Sequence, residues 1–328
     1  MTYLPPLALD RHLDSRLWGG STLGPWLGLT DSPPQLAESW QVYERNRIAG
    51  GPFAGRTLAD LTSEYGAALV GEISFARYGA DFPLLAKFID AADHLSIQVH
   101  PDDIYAHRVE AATGFHGKTE AWYILQTTPG ASLYHGLKRD TNRAEFASAI
   151  ANGSILSLLR SVAVKPGDTL FVPAGTVHAI NAGIMLFEIQ QKSDLTYRVY
   201  DYDRRDTQGN LRELHLERAL DVIDYRGNQP PLPLPQELGV GRTLLTSCTY
   251  FAMERWRIET DTAATTTPSS FVILTAIDGA ARLVSAAGSM SLALGDSLVL
   301  PASLGAYRII PSPAITLLAC YVPAQMES

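Results

Sequence analysis

Short apolar runs separated by turn residues are what most restrict the folds open to this chain. They lie at 82–89 (FPLLAKFI), 95–100 (LSIQVH), 120–126 (EAWYILQ), 169–173 (TLFVP) and 184–190 (IMLFEIQ). More follow at 271–277 (FVILTAI), 296–300 (DSLVL) and 315–322 (ITLLACYV). Each is strand-sized and bounded by Gly, Pro or Asp. Helical periodicity is confined to three places. In 57–70, Leu58, Leu61, Tyr65 and Leu69 share one face; 141–151 has Asp140 or Thr141 as N-cap; the third piece is 214–223. The pattern predicts an all-β-dominated protein, a barrel or sandwich with helical insertions.

At 328 residues the chain has room for about two domains. Residues 227–239 (GNQPPLPLPQELG) read as a stiff proline-rich linker. It divides a domain at 1–226 from a strand-rich one at 240–328. A faint repeat crosses that divide. KPGDTLFVPAGTVHAI at 165–180 resembles ALGDSLVLPASLGAYRI at 293–309, with Gly167/Gly295, Asp168/Asp296 and Pro173/Pro301 at one offset. Under that offset His178 falls opposite Ala306. The repeat predicts a duplicated fold whose second copy has lost a ligand, so the chemistry belongs before the linker.

Charge narrows the partners. Lys and Arg total 26 against 34 Asp and Glu, a net charge of −8, which argues against nucleic acid as the main partner. An anionic small molecule would need a local cationic site. Cys248 and Cys320 are too few for a disulfide scaffold and are not spaced as a zinc motif; free thiols are expected. The charged N-terminal stretch does not read as a signal peptide, and no apolar run is long enough to span a membrane. A cytoplasmic globular protein is expected, with monomer and homodimer both open.

Three segments carry polar groups where chemistry could use them. In Ser96-Ile97-Gln98-Val99-His100, strand alternation puts Ser96, Gln98 and His100 on one face and Leu95, Ile97 and Val99 on the other. In Gly117-Lys118-Thr119-Glu120, Lys118 and Glu120 share a face, and a carboxylate entering the apolar AWYIL strand needs a cation if buried. A surface ion pair would account for the same two residues. In 167–178, a strand ends in a Pro-x-Gly turn with His178 three residues beyond Gly175. His100, Glu120 and His178, with Gln98 as a possible fourth, make a nitrogen–oxygen set. It suits a catalytic zinc with an open position or a two-His-one-carboxylate iron.

These residues resemble the cupin superfamily and, within it, the type I mannose-6-phosphate isomerases in their short bacterial form. The resemblance rests on RLWGG (16–20), ESW (38–40), FPLLAKFIDAADHLSIQVHPDD (82–103) and GKTEAWYIL (117–125). It continues through VPAGTVHAI (172–180) and FEIQQKSDLTYRVYDYDR (187–204). The general cupin motif G-x5-P-x-G-x2-H-x3-N is met except that Asn181 comes one residue early. The resemblance implies a jelly-roll barrel with helical insertions followed by a degenerate cupin-like β domain. It implies zinc on Gln98, His100, Glu120 and His178, Arg198 as the active-site arginine, and Lys118, Glu188 and Asp194 lining the site. From chemistry alone, Arg198 could equally be a structural partner of Asp201 and Asp203.

The implied reaction interconverts mannose 6-phosphate and fructose 6-phosphate through a cis-enediol. Glu188, Asp194 and Lys118 are candidates for the base. Ser96, Lys118 and Arg204 are nominated for the phosphate. Two other readings stay open: an Fe(II)-dependent cupin dioxygenase on the same ligands, and a non-catalytic sugar-binding cupin.

Overall fold

The structure, a computed structural model, describes residues 3–205, 209–227 and 232–324. The apolar runs become strands as their composition dictates, and two sheets of the N-terminal half frame an interior. One has six strands in the order His12–Gly20, Leu36–Val42, Leu84–Ala91, Ile184–Gln191, Glu120–Thr127, Thr169–Val172. The other has five: Tyr197–Tyr200, Ile97–Val99, His178–Ala179, Ser132–Leu137, Leu159–Ala163. Trp18, Ile89, Trp122, Ile124, Leu133 and Leu186 pack between them. The outer face of the five-stranded sheet (Ile97, Val99, Ala179, Tyr197, Val199) is covered by Phe146, Ala219 and Leu220 of two helices.

The six-stranded sheet is buried on both faces. Alternation sends Lys87, Ile89, Glu120, Trp122, Leu186 and Glu188 inward. It sends Leu84, Ala86, Phe88, Ala121, Tyr123, Phe187 and Ile189 outward, onto Phe251, Phe271, Val299, Leu318 and Cys320 of the C-terminal half. This explains why its central strands read as continuous apolar runs.

The C-terminal half forms a nine-stranded sheet around the long strands Val272–Ser285 and Ala306–Tyr321. Leu7–Ala8 from the start of the chain joins it by pairing with Ser297–Leu300. Of the proline-rich stretch 227–239, residues 228–231 lie outside those described. Gln236–Gly239 at its end is already a strand, paired with Arg242–Ser247.

The sequence repeat is matched bond for bond. Lys165 N–H donates to Asp168 Oδ2 and Ala293 N–H to Asp296 Oδ2, at 2.9 and 3.0 Å. Gly167 and Gly295 both take positive φ, 92° and 83°. Past each turn, Thr176 N–H donates to Pro173 O and Leu304 N–H to Pro301 O, at 3.1 and 3.0 Å. The two segments fold alike, and the second holds Ala306 where the first holds His178.

Local differences from the sequence reading have plain causes. The 57–70 helix starts on a Thr57–Asp60 capping box but is broken at Gly66, giving Leu58–Tyr65 and Ala67–Val70. Asn142, not Asp140 or Thr141, caps Arg143–Ala151 by accepting from Glu145 N–H. Asp140 accepts from Gly227 N–H instead. Leu95 lies inside the barrel rather than with Ile97 and Val99, because the strand begins only at Ile97. Both cysteines are free. No described helix is long and apolar enough to cross a membrane.

Candidate active site

Register assembles the site. In the five-stranded sheet Arg198, Gln98, His178 and His135 are successive cross-strand partners, one row across four strands. In the facing sheet Lys87, Glu188 and Trp122 form a second row, with Glu120 two residues along. His100 follows directly on Ile97–Val99. His178 is set by the turn at Gly175, whose φ of 86° and whose position 2.9 Å from Val222 O at the would-be Cβ leave no room for another residue.

His100, Glu120 and His178 are almost completely buried and offer donor atoms to one point. His100 Nδ1–H donates to Leu195 O (2.8 Å) and His178 Nδ1–H to Thr176 O (2.9 Å). A carbonyl only accepts, so each ring carries its proton on Nδ1 and turns a bare Nε2 inward. His100 Nε2 lies 3.5 Å from Glu120 Oε2, and His178 Nε2 lies 3.3 Å from Glu120 Oε1. His100 Nε2 and both Glu120 oxygens are buried without a well-formed hydrogen bond. Gln98 Nε2 is 3.2 Å from His178 Nε2, and a half-turn of the amide puts its oxygen there. A tetrahedral cation with bonds of about 2.0–2.1 Å holds its ligands about 3.3 Å apart. The four residues therefore fit a zinc-like cation, with two neutral imidazoles, one carboxylate and one amide.

Around this set runs an alternating charge network that sequence reading found only in part. Lys87 Nζ lies 3.1 Å from Glu38 Oε1 and 3.3 Å from Glu188 Oε1. Lys118 Nζ lies 3.0 Å from Glu120 Oε2 and 4.0 Å from Glu188 Oε1. Trp40 Nε1–H donates to Glu38 Oε2 (2.8 Å) and Trp122 Nε1–H to Glu188 Oε2 (3.0 Å). Lys118 and Glu120 are thus a buried pair, not a surface one. Burial, then the Glu120 charge, raises the Glu188 pKa despite Lys87 and Lys118. Burial works against ionised Glu38, but Lys87 and the Trp40 bond prevail and hold its pKa below the usual value. Lys87 stays well above its ordinary range: burial opposes its charge, and Glu188, Glu38 and Glu120 outweigh it. Burial is also the main reason His100 sits well below the usual imidazole range and His178 is pushed down to about 4.

Ser96, Gln98, Lys118, Glu188, Asp194 and Arg198 all line one cavity beside these ligands. Arg204 is not brought there: it is turned onto Asp201, the His94 carbonyl and the Tyr202 ring. Asp201 pairs with Arg204 and, at 3.5 Å, Arg212. Arg198 Nε is buried without a hydrogen-bond partner. Arg16 and Arg212 line the same cavity and were missed by the sequence reading. Burial lowers the pKa of both Arg198 and Arg212; Arg16 adds to this at both and Arg198 at Arg212, while Asp201 opposes it. Sequence signals for these residues existed. Lys87 is a lysine within an apolar strand, Glu38 sits in ESW and Arg16 in RLWGG, whereas Arg212 lies in no motif quoted above.

The chain as a whole is similar to known proteins. A family model of the phosphomannose isomerase type I catalytic domain matches residues 7–123, and one of the mannose-6-phosphate isomerase cupin domain matches 241–312. Mannose-6-phosphate isomerase ManA of Bacillus subtilis is 36% identical over 314 residues, 93% of this chain and 95% of that protein.

The chain belongs to the type I phosphomannose isomerase family.

The mannose-6-phosphate isomerase of Streptococcus mutans is another relative, 34% identical over 92% of this chain and 94% of its own length. The crystal structure of the Bacillus subtilis mannose 6-phosphate isomerase covers 96% of this chain and 99% of its own, with a TM-score of 0.85 at 32% identity. A phosphomannose isomerase mutant from Salmonella typhimurium shares the fold at a TM-score of 0.79 and 17% identity, covering 97% of this chain and 100% of its own. The fold is thus that of the cupin phosphomannose isomerases, and the family is one of aldose–ketose isomerases.

Proposed function

We propose that this type I phosphomannose isomerase interconverts mannose 6-phosphate and fructose 6-phosphate at the cavity beside His100, Glu120 and His178, with Gln98 as fourth ligand to zinc. The observation that carries the reading is that one cavity, reached by Gln98 of the ligand set, is lined by a carboxylate of raised pKa and three arginines. When bound, zinc supplies a Lewis acid for the sugar's oxygens.

The remaining work falls to side chains. Glu188 is the base: Glu120 belongs to the cation, Asp194 is exposed, and of the two carboxylates that share Lys87 it is Glu188 whose pKa burial raises, whereas that of Glu38 is held low. A glutamate raised towards neutrality is matched to abstracting a proton from carbon. Its carboxylate takes the C2 proton, and the proton of the O2 hydroxyl is the one that passes to O1 through the cis-enediol. The same group returns its proton to C1, O2 having lost its proton to O1, and the ketose results. Lys118 and Arg198 bring fixed positive charge against the negative charge that develops on those oxygens. Arg16 and Arg212 grip the phosphate, giving a chain of net charge −8 the local cationic site a dianion requires. Arg204 is left to Asp201 and Tyr202. A coupled assay for fructose 6-phosphate made from mannose 6-phosphate tests the proposal; an absence of turnover in zinc-loaded protein would refute it.

A further inference from the structure

The buried ligand set is not the only place where imidazoles and a carboxylate meet. On the surface, Asp103, His107 and His116 each offer a ligand atom within 4.8 Å of the others. Asp103 and His107 are four residues apart in the helix Asp103–Val109, so they rise on one face of it. His116 comes back to that face after the short helical turn Ala111–Thr113 and the left-handed Gly114. Its return is fixed by the next residue, whose N–H donates to Asp103 Oδ1 at 2.8 Å.

The surroundings of these three residues are those of supported ligands. His107 Nε2–H donates to His116 Nδ1 at 3.0 Å, and a cation that displaced that proton would hold the two nitrogens roughly 3.3 Å apart, as on a tetrahedral zinc. His116 Nε2 lies 3.0 Å from Asp81 Oδ2, and a carboxylate there accepts the ring proton, leaving Nδ1 bare towards His107. Asp81 is itself held by Lys192 Nζ at 2.7 Å. A carboxylate behind a histidine fixes its tautomer and raises its basicity as a ligand. Asp103 is held likewise: Gln191 Nε2 donates to Oδ1 at 2.9 Å, so both donors take the same oxygen and the other is left for a cation.

We propose that Asp103, His107 and His116 form a second, peripheral site for a zinc-class divalent cation, apart from the buried set. Two imidazoles and one carboxylate select zinc and its neighbours over magnesium or calcium, which prefer oxygen alone. An exposed site with three protein ligands leaves a coordination position to water. The cation ties His116 back onto the surface helix Asp103–Val109.

The test is a calorimetric titration of the full-length, chelator-stripped protein with zinc, and separately with magnesium. One equivalent of zinc is expected to depend on His107. His107→Ala, at an exposed position, weakens that equivalent at least tenfold and leaves isomerase turnover unchanged. Asp81→Asn keeps the side chain's shape, removes the support of His116, and weakens the same equivalent by roughly 10- to 100-fold. Glu120→Ala removes a different equivalent and leaves the His107-dependent one. If no equivalent of zinc is sensitive to His107→Ala, or if magnesium fills the site as tightly as zinc, the proposal is overturned.

Discussion

Single side chains carry the sharpest claims. Glu188→Gln keeps the shape of the proposed base and the Trp122 contact but cannot take a proton. Turnover should fall by about 10²- to 10⁴-fold while the fold persists, checked by kcat and circular dichroism. The base works only when ionised, and burial raises its pKa above that of an ordinary glutamate. Activity should therefore be lost as pH falls through a midpoint above the usual glutamate value, and kept above it. Burial, the first cause of the shift, acts even when a cation offsets the Glu120 charge. Trp122→Phe removes a hydrogen bond to the ionised form, so the acid limb of the pH profile should move further up, and an unmoved limb would exclude Glu188. Arg212 touches phosphate rather than the reacting carbons in this account. Arg212→Ala should raise KM by about 10- to 100-fold, as loss of a charged hydrogen bond does, with kcat little changed.

At the scale of elements, the turn Pro173–His178 decides where a ligand sits. Gly175→Ala puts a Cβ 2.9 Å from Val222 O at a positive φ. It should weaken metal binding and lower the melting temperature together, seen by titration and calorimetry. That turn is also where the sequence was most legible, because Gly167, Pro173 and Gly175 have backbone duties that few other residues meet. Alternation puts Gln98, inside the strand Ile97–Val99, opposite the apolar pair that packs on the helices, and His100 is the residue directly after that strand. The same rule misplaced Leu95, which precedes the strand, and alternation has no force outside one. Lys87 and Glu38 escaped because their pairing depends on which strands become neighbours, which periodicity along one strand does not encode. Arg212 escaped for a related reason: it reaches the cavity from a loop with no period at all. Arg204, beside a run of aspartates in sequence, is drawn to Asp201 rather than to the cavity.

Across the whole molecule, the C-terminal half covers the outer face of the six-stranded sheet. It has no histidine, and its matched turn carries Ala306 in place of His178. Phe88 and Phe187 of the six-stranded sheet bury against it through Phe271, Phe251 and their neighbours. Phe187→Ala, behind Glu188 on the same strand, should cost about 3–5 kcal/mol of stability, measured by denaturant unfolding. Leu7–Ala8 closes the two halves by pairing with Ser297–Leu300, so both halves should unfold in one transition. The active-site account meets its most direct test in the conversion of mannose 6-phosphate to fructose 6-phosphate, by wild type and Glu120→Ala, after chelation and after zinc is restored. The account predicts wild-type turnover that vanishes on chelation and returns with zinc, and a Glu120→Ala protein that stays inactive throughout. Turnover in Glu120→Ala, or in wild type stripped of metal, would contradict it.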